Sequence, residues 1–146
     1  MAERNQGDKE AHGEGDSQRQ PVVRLPGEGR AYRMPAMHAV FHADGAETGD
    51  AYSVSEWRLE PRSEGPGAHA HEDNDEIFRI VEGTMSVLVG DSWTDAPAGS
   101  VIIVPAGTTH DFANRTDAPA ALFNVFLPGG FERNMPAIVK WYEENA

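Results

Sequence analysis

From Pro21 onward, short runs of alternating apolar and polar residues are broken by turn-forming residues about every ten positions, the pattern of an antiparallel sandwich or barrel. The period-two runs predict strands over 37–41, 52–59, 76–81, 84–89, 100–104, 110–114 and 121–127. Asp44-Gly45, 61–67, Glu82-Gly83, Gly90-Asp91, 96–99 and 117–119 supply the turns, so the expected connectivity is an antiparallel meander. Near the end the period changes: Pro136 suits a first helical turn, and Ile138, Trp141 and Tyr142 form one apolar stripe. A short C-terminal helix that packs on the barrel is expected. Residues 1–20 carry mixed charge and no hydrophobic period, and read as a disordered polar tail before a single domain over 21–146. His12, inside that tail, reads as solvated.

Composition narrows the choices. A net charge of −12 with no segregated basic patch argues against a nucleic-acid partner. No apolar run reaches the length of a membrane-spanning helix and the first residues lack a signal peptide's apolar stretch, so a cytoplasmic location and no membrane partner are expected. Cysteine is absent, which removes disulfides, thiolate-held metals and a thiol nucleophile. Any metal must sit on nitrogen and oxygen.

His69 and His71, two apart, project from the same face if the segment is extended, with Cα atoms about 6.5–7 Å apart. That suits two ligands on one ion, and equally a pair on an exposed strand face. Glu76 opens the next apolar strand and can turn toward the same interior. A second segment, GSVIIVPAGTTH, runs a buried strand into a Pro/Gly turn that delivers His110, with Phe112 and Asn114 on its face. Asn114 then offers an amide beside His110.

With these residues the sequence resembles the cupin superfamily, an antiparallel β-barrel or jelly roll. His69, His71, Glu76 and Gly83 fit its first motif, GxxxxxHxHxxxxExxxxxxG, across 63–83, with Ser63 where the leading glycine belongs and Gly65 and Gly67 just after it. Gly99, Pro105, Gly107, His110 and Asn114 fit its second, GxxxxxPxGxxHxxxN. The resemblance implies one divalent transition metal on His69, His71, Glu76 and His110, the set that the spacing also suggests. Three imidazoles and a carboxylate suit Fe, Mn, Ni, Co, Cu or Zn. The run HAHEDNDEIFRIVEG and Pro128-Gly129-Gly130-Phe131-Glu132 look like the quercetinase-like single-domain members, which implies a metal-dependent dioxygenase acting on a small phenolic or enolic substrate. Glu76 then either stays a ligand throughout or shifts off the ion to accept a proton from the substrate. Metal-dependent isomerases, polyketide-type cyclases and non-catalytic ligand-binding members share the ligand set and stand as alternatives. A homodimer is also implied.

If Glu76 points inward, Phe78 and Ile80 share its face, and Phe112 and Phe126 extend an apolar wall for a small-molecule substrate. Arg58 is a candidate clamp for an acidic substrate at the barrel mouth. His38 and His42 share a strand face, read here as an exposed edge because no carboxylate or third histidine lies near in sequence. Trp93 reads as packing in a hairpin or at a subunit contact.

Overall fold

The alternation becomes two facing sheets in the computed structural model, which describes residues 19–145. The expected tail, with His12, lies outside the described residues except for Arg19 and Gln20. The strands are β1 (Arg30–Arg33), β2 (Met37–Ala43), β3 (Ser53–Leu59), β4 (Ser63–Glu64), β5 (Asp75–Glu82), β6 (Thr84–Val89), β7 (Ser92–Pro97), β8 (Val101–Val104), β9 (His110–Asn114) and β10 (Ala120–Leu127). A four-residue helix, α1 (Gly45–Thr48), follows β2; a 3₁₀ turn (Phe131–Asn134) and α2 (Met135–Asn145) close the chain. None of the described helices is long and apolar enough to cross a membrane.

Six strands form one sheet in the order β1-β2-β3-β10-β5-β8, and four form the other as β4-β9-β6-β7. All pairings are antiparallel, but the meander is corrected: β10 returns from the far end of the chain to lie between β3 and β5, and after β7 the chain crosses to the six-stranded sheet at β8 and comes back to the four-stranded one at β9. This is the jelly-roll arrangement. Side chains from both inner faces fill the space between, with Phe41, Leu59, Phe78, Ile80, Met85 and Leu122 nearly inaccessible to water. Glu76, Phe78 and Ile80 do share the inward face of β5, as the period-two reading requires.

The differences have local causes. β7 ends in Ala96 and Pro97, where 96–99 reads as a turn; five of its six residues are exposed on an outer strand, so no apolar alternation marks it. Trp93 pairs with Leu88 in this β6–β7 hairpin and carries the Arg115 guanidinium 4.1 Å above its ring. Asp44-Gly45 starts α1 instead of a simple turn: Asp44 accepts from Ala46 N, Glu47 reaches back to Asp44 N, and Arg30 bonds both carboxylates. Gly83, at φ 68°, is required twice over, since a Cβ there would stand 2.4 Å from Pro119 O. β2 is not an edge, being held between β1 and β3, so His38 and His42 are half-buried on its outer side. Burial, with Arg33 and Arg58, lowers the His38 pKa.

Candidate metal centre

The site sits at one end of the barrel, where two separate segments are tied by backbone bonds. His69 N donates to His110 O at 3.0 Å and His110 N to His69 O at 2.8 Å. Gly107 N donates to His71 O at 2.8 Å, and Ala106 N to Asp75 Oδ1 at 2.8 Å. The Pro105–Gly107 turn is therefore docked against both the histidine pair and the first residue of β5. His69 and His71 lie in a loop with a single bridge to β9, not in a regular strand.

One ligand atom from each of His69, His71, Glu76 and His110 can be chosen so that all lie within 4.8 Å of one another. His69 Nδ1 lies 2.6 Å from Gly67 O and His110 Nδ1 2.9 Å from Thr108 O. A carbonyl can only accept, so both rings carry their proton on Nδ1 and turn a bare Nε2 inward. Glu76 Oε1 accepts from Asn124 Nδ2 at 2.7 Å, while Oε2 faces the histidines, 2.6 Å from His110 Nε2 and 3.6 Å from His71 Nε2. His71 Nε2, Glu76 Oε2 and His110 Nε2 are buried without a well-aligned hydrogen bond. Buried polar atoms are seldom left so, and here three orphans converge. The donor set, three imidazole nitrogens and one carboxylate oxygen, fits a divalent transition metal.

Burial opposes the charge on Glu76, but His110, Asn124 and His71 outweigh it and hold its pKa below the usual carboxylate range. Burial likewise opposes charge on His110, where the Glu76 carboxylate and the Thr108 carbonyl prevail and raise the pKa. For His71, burial wins over Glu76, helped by the other two histidines, and lowers it. The result is an anionic carboxylate beside one readily protonated imidazole, so an arriving cation competes with a proton at His110.

The structure brings Phe78, Phe112 and Phe126 to this centre. Phe78 and Phe112 line an inner cavity of about 30 Å³ next to Glu76 and His110, and the Phe126 ring stands 5.0 Å from that of His71. Arg58 does not join them. It lies on the outer face of β3 and pairs with Glu82 at 2.8 Å, because inward positions of that strand have the opposite parity. Asn114 is not beside the metal ligands either: its Nδ2 donates to Leu59 O, Glu60 O and Ala118 O, and its Oδ1 accepts from Thr116, clamping two loops.

Several residues were not anticipated. Asn124 holds Glu76, and its signal was an amide in the middle of the otherwise apolar run 120–127. Ser53, Ser55 and Trp57, on the inward face of β3, also line the inner cavity. An outer cleft of about 430 Å³ opens beyond His69 and His71, walled by Trp57, Phe131, Ile138, Trp141 and Tyr142. The apolar stripe of α2 thus lines the approach to the site as well as packing on the barrel. Tyr142 Oη donates to Gly65 O at 3.1 Å, fixing the helix to that rim.

Residues 55–126 match the family model described as "Cupin domain". The fold is similar to KdgF from Halomonas sp. (16% identity, 78% of this chain and 99% of that one, TM-score 0.68) and to a predicted oxalate decarboxylase from Thermotoga maritima (18%, 74% and 99%, 0.66). A sugar phosphate isomerase of the cupin superfamily from Silicibacter pomeroyi is also similar (25%, 76% and 72%, 0.57). No curated protein sequence matches the chain. Over 55–126 the chain is thus similar to the cupin domain, and its fold is like that of these solved structures. Its His/Glu cluster occupies the two segments the superfamily motifs span.

Proposed function

We propose that this chain is a metal-dependent dioxygenase for a small, flat phenolic or enolic substrate. The observation that carries the reading is the wall around the ligand cluster: the inner cavity and outer cleft are largely aromatic and apolar, and among the described residues no lysine or arginine lines either. A carboxylate or phosphate substrate calls for a cationic partner in such a site. A neutral aromatic one does not, and Trp57, Phe131 and Tyr142 offer it ring faces and edges.

Size supports the same division of roles. The inner space of about 30 Å³ takes a molecule no larger than water or dioxygen, whereas the cleft of about 430 Å³ falls in the range of small-ligand sites. His69, His71, Glu76 and His110 would hold the ion, which when bound supplies Lewis acidity toward a substrate hydroxyl. Glu76 would accept the hydroxyl proton on Oε2, giving up its place as a ligand, while Asn124 keeps Oε1 in place. Phe78, Phe112 and Phe126 exclude water from the reacting carbon atoms. In the overall reaction the substrate is oxidised, a carbon–carbon bond of it is broken, and both atoms of dioxygen enter the product, so no external reductant is needed.

The test is oxygen uptake by protein reconstituted separately with Fe, Mn, Ni, Co, Cu and Zn, over a panel of phenols and enols. One O₂ consumed per substrate, with both ¹⁸O atoms recovered in product, is expected for one metal form. Turnover that continues unchanged under argon would replace this reading with an isomerase or cyclase. Saturable binding with no product would leave a ligand-binding barrel.

A further inference from the structure

The loop that carries His69 is held by a residue that touches no member of the His/Glu cluster through its side chain. Gly67 stands at φ 94° with open space where a Cβ would be, so packing on that side does not fix its peptide groups. Its carbonyl lies 2.6 Å from His69 Nδ1, the contact that sets the direction of that ring. Its amide is taken by a side chain 44 positions away, Gly67 N donating to Asp111 Oδ1 at 3.1 Å.

Asp111 sits where a carboxylate is costly. On β9, His110 and Phe112 face the inner cavity, so Asp111 projects to the opposite side of the strand, yet it is only 6% exposed. Burying a carboxylate without a cation is unfavourable unless hydrogen bonds make up for the lost water, and among the described residues no lysine or arginine pairs with it. It has two main-chain amides on one oxygen, Phe112 N at 2.8 Å and Gly67 N at 3.1 Å. The first reaches only the next residue and ties nothing together. The second joins the sheet to the loop, at the residue whose carbonyl holds His69. Tyr142 grips Gly65 O two residues earlier, so the stretch is pinned from two sides.

From this chain of contacts we infer that Asp111 is a positioning residue for His69, acting through Gly67: the carboxylate fixes the Gly67 amide, and the Gly67 carbonyl fixes the proton on His69 Nδ1. Without the carboxylate, Gly67 is free to turn, the carbonyl leaves the ring, and His69 exchanges between its two tautomers. The main chain of His69 stays bonded to His110 in either case, so the loss falls on the ring and not on the loop. His110 is held differently, by Thr108 O in its own turn. The inference deepens the metal reading of the cluster and, for its effect on the ion alone, rests on it.

Imidazole nitrogen NMR of the full chain without metal, at a pH where the ring is neutral, reads the first step. The wild type should show His69 with its proton on Nδ1, and Asp111→Ala a mixture of both tautomers. Asp111→Asn, whose Oδ1 still accepts from both amides, should keep the wild-type signal. A wild-type His69 protonated on Nε2, or a ring unchanged in Asp111→Ala, would overturn the inference. Titration with cobalt(II) against a chelator reads the second step. Asp111→Ala should weaken binding by about tenfold, and in a His69→Ala background the same change should cost nothing further. An equal loss in both backgrounds would make Asp111 a general support of the fold and would likewise overturn it. A wild type without affinity for cobalt would remove the metal reading instead, while the tautomers still decide the role of Asp111.

Discussion

Replacing Asn124 by leucine removes one hydrogen bond and almost no volume, and it isolates what holds Glu76 ready for a cation. Asn124 is 6% exposed, as is Glu76, and among the described residues the 2.7 Å bond from Nδ2 is the one well-formed hydrogen bond to the Glu76 carboxylate. A bond to a buried charged group is worth about 1.5–3 kcal/mol, and in the variant Oε1 has neither amide nor water. Glu76 then favours its protonated form more strongly and is a poorer ligand, so metal affinity should fall by roughly 10–100-fold. Competition against a chromophoric chelator at fixed pH reads this directly. The rise in melting temperature on adding the metal should shrink in step, since a bound ligand stabilises by RT times the logarithm of one plus its free concentration over Kd. Wild-type affinity in Asn124→Leu would refute the argument that this amide orients the carboxylate. Asn124→Asp should do worse still, because it sets a second carboxylate against the first.

Further expectations follow from other contacts. His110→Ala or Glu76→Ala should reduce the metal content measured by elemental analysis from about one per chain to near none and abolish the melting-temperature gain from added metal; unchanged content in both would place the ion elsewhere. Gly65→Ala puts a Cβ 1.9 Å from Phe112 O and should cost more than about 3 kcal/mol in urea unfolding, whereas Gly67→Ala meets no atom within 4 Å and carries only the strain of φ 94°, about 1 kcal/mol. Equal losses would contradict that contrast. For Glu47, burial raises the pKa but Arg30 and the Asp44 backbone lower it further. A carboxyl more acidic when folded stabilises above its ordinary pKa and loses that contribution as pH falls through the depressed value. Glu47→Gln should therefore flatten the acid limb of stability and cost about 1 kcal/mol at neutral pH; an unaltered acid limb would count against the capping network as its source.

Most of the barrel was legible because one face of each long strand is buried, which writes a period of two into the sequence. β7 escaped, since an outer strand reading SWTDAP needs no such period, and β4 escaped because two residues cannot show one. The meander failed for a different reason. Strand order depends on which faces meet across the barrel, and nothing local to β10 says that it inserts between β3 and β5. In the site, histidine and carboxylate spacing picked out the four side chains that the fold gathers into one cluster. Arg58 was misplaced by ignoring the parity that Trp57 and Leu59 already set for β3. The cleft walls were beyond local reading, because Tyr142 reaches Gly65 across 77 positions.

The pair of main-chain bonds between His69 and His110 has a consequence for where the ion comes from. Two of the four candidate ligands belong to residues whose main chains bond one another directly, so the backbone itself holds the fork between their rings. An arriving ion meets a seat already cut, at little cost in rearrangement. A rigid seat of mixed imidazole and carboxylate ranks first-row ions by their general order of affinity and hardly sorts them by shape. An ion bound there would then be a record of the surroundings in which the chain folded: grown in different media, one sequence should emerge carrying different metals.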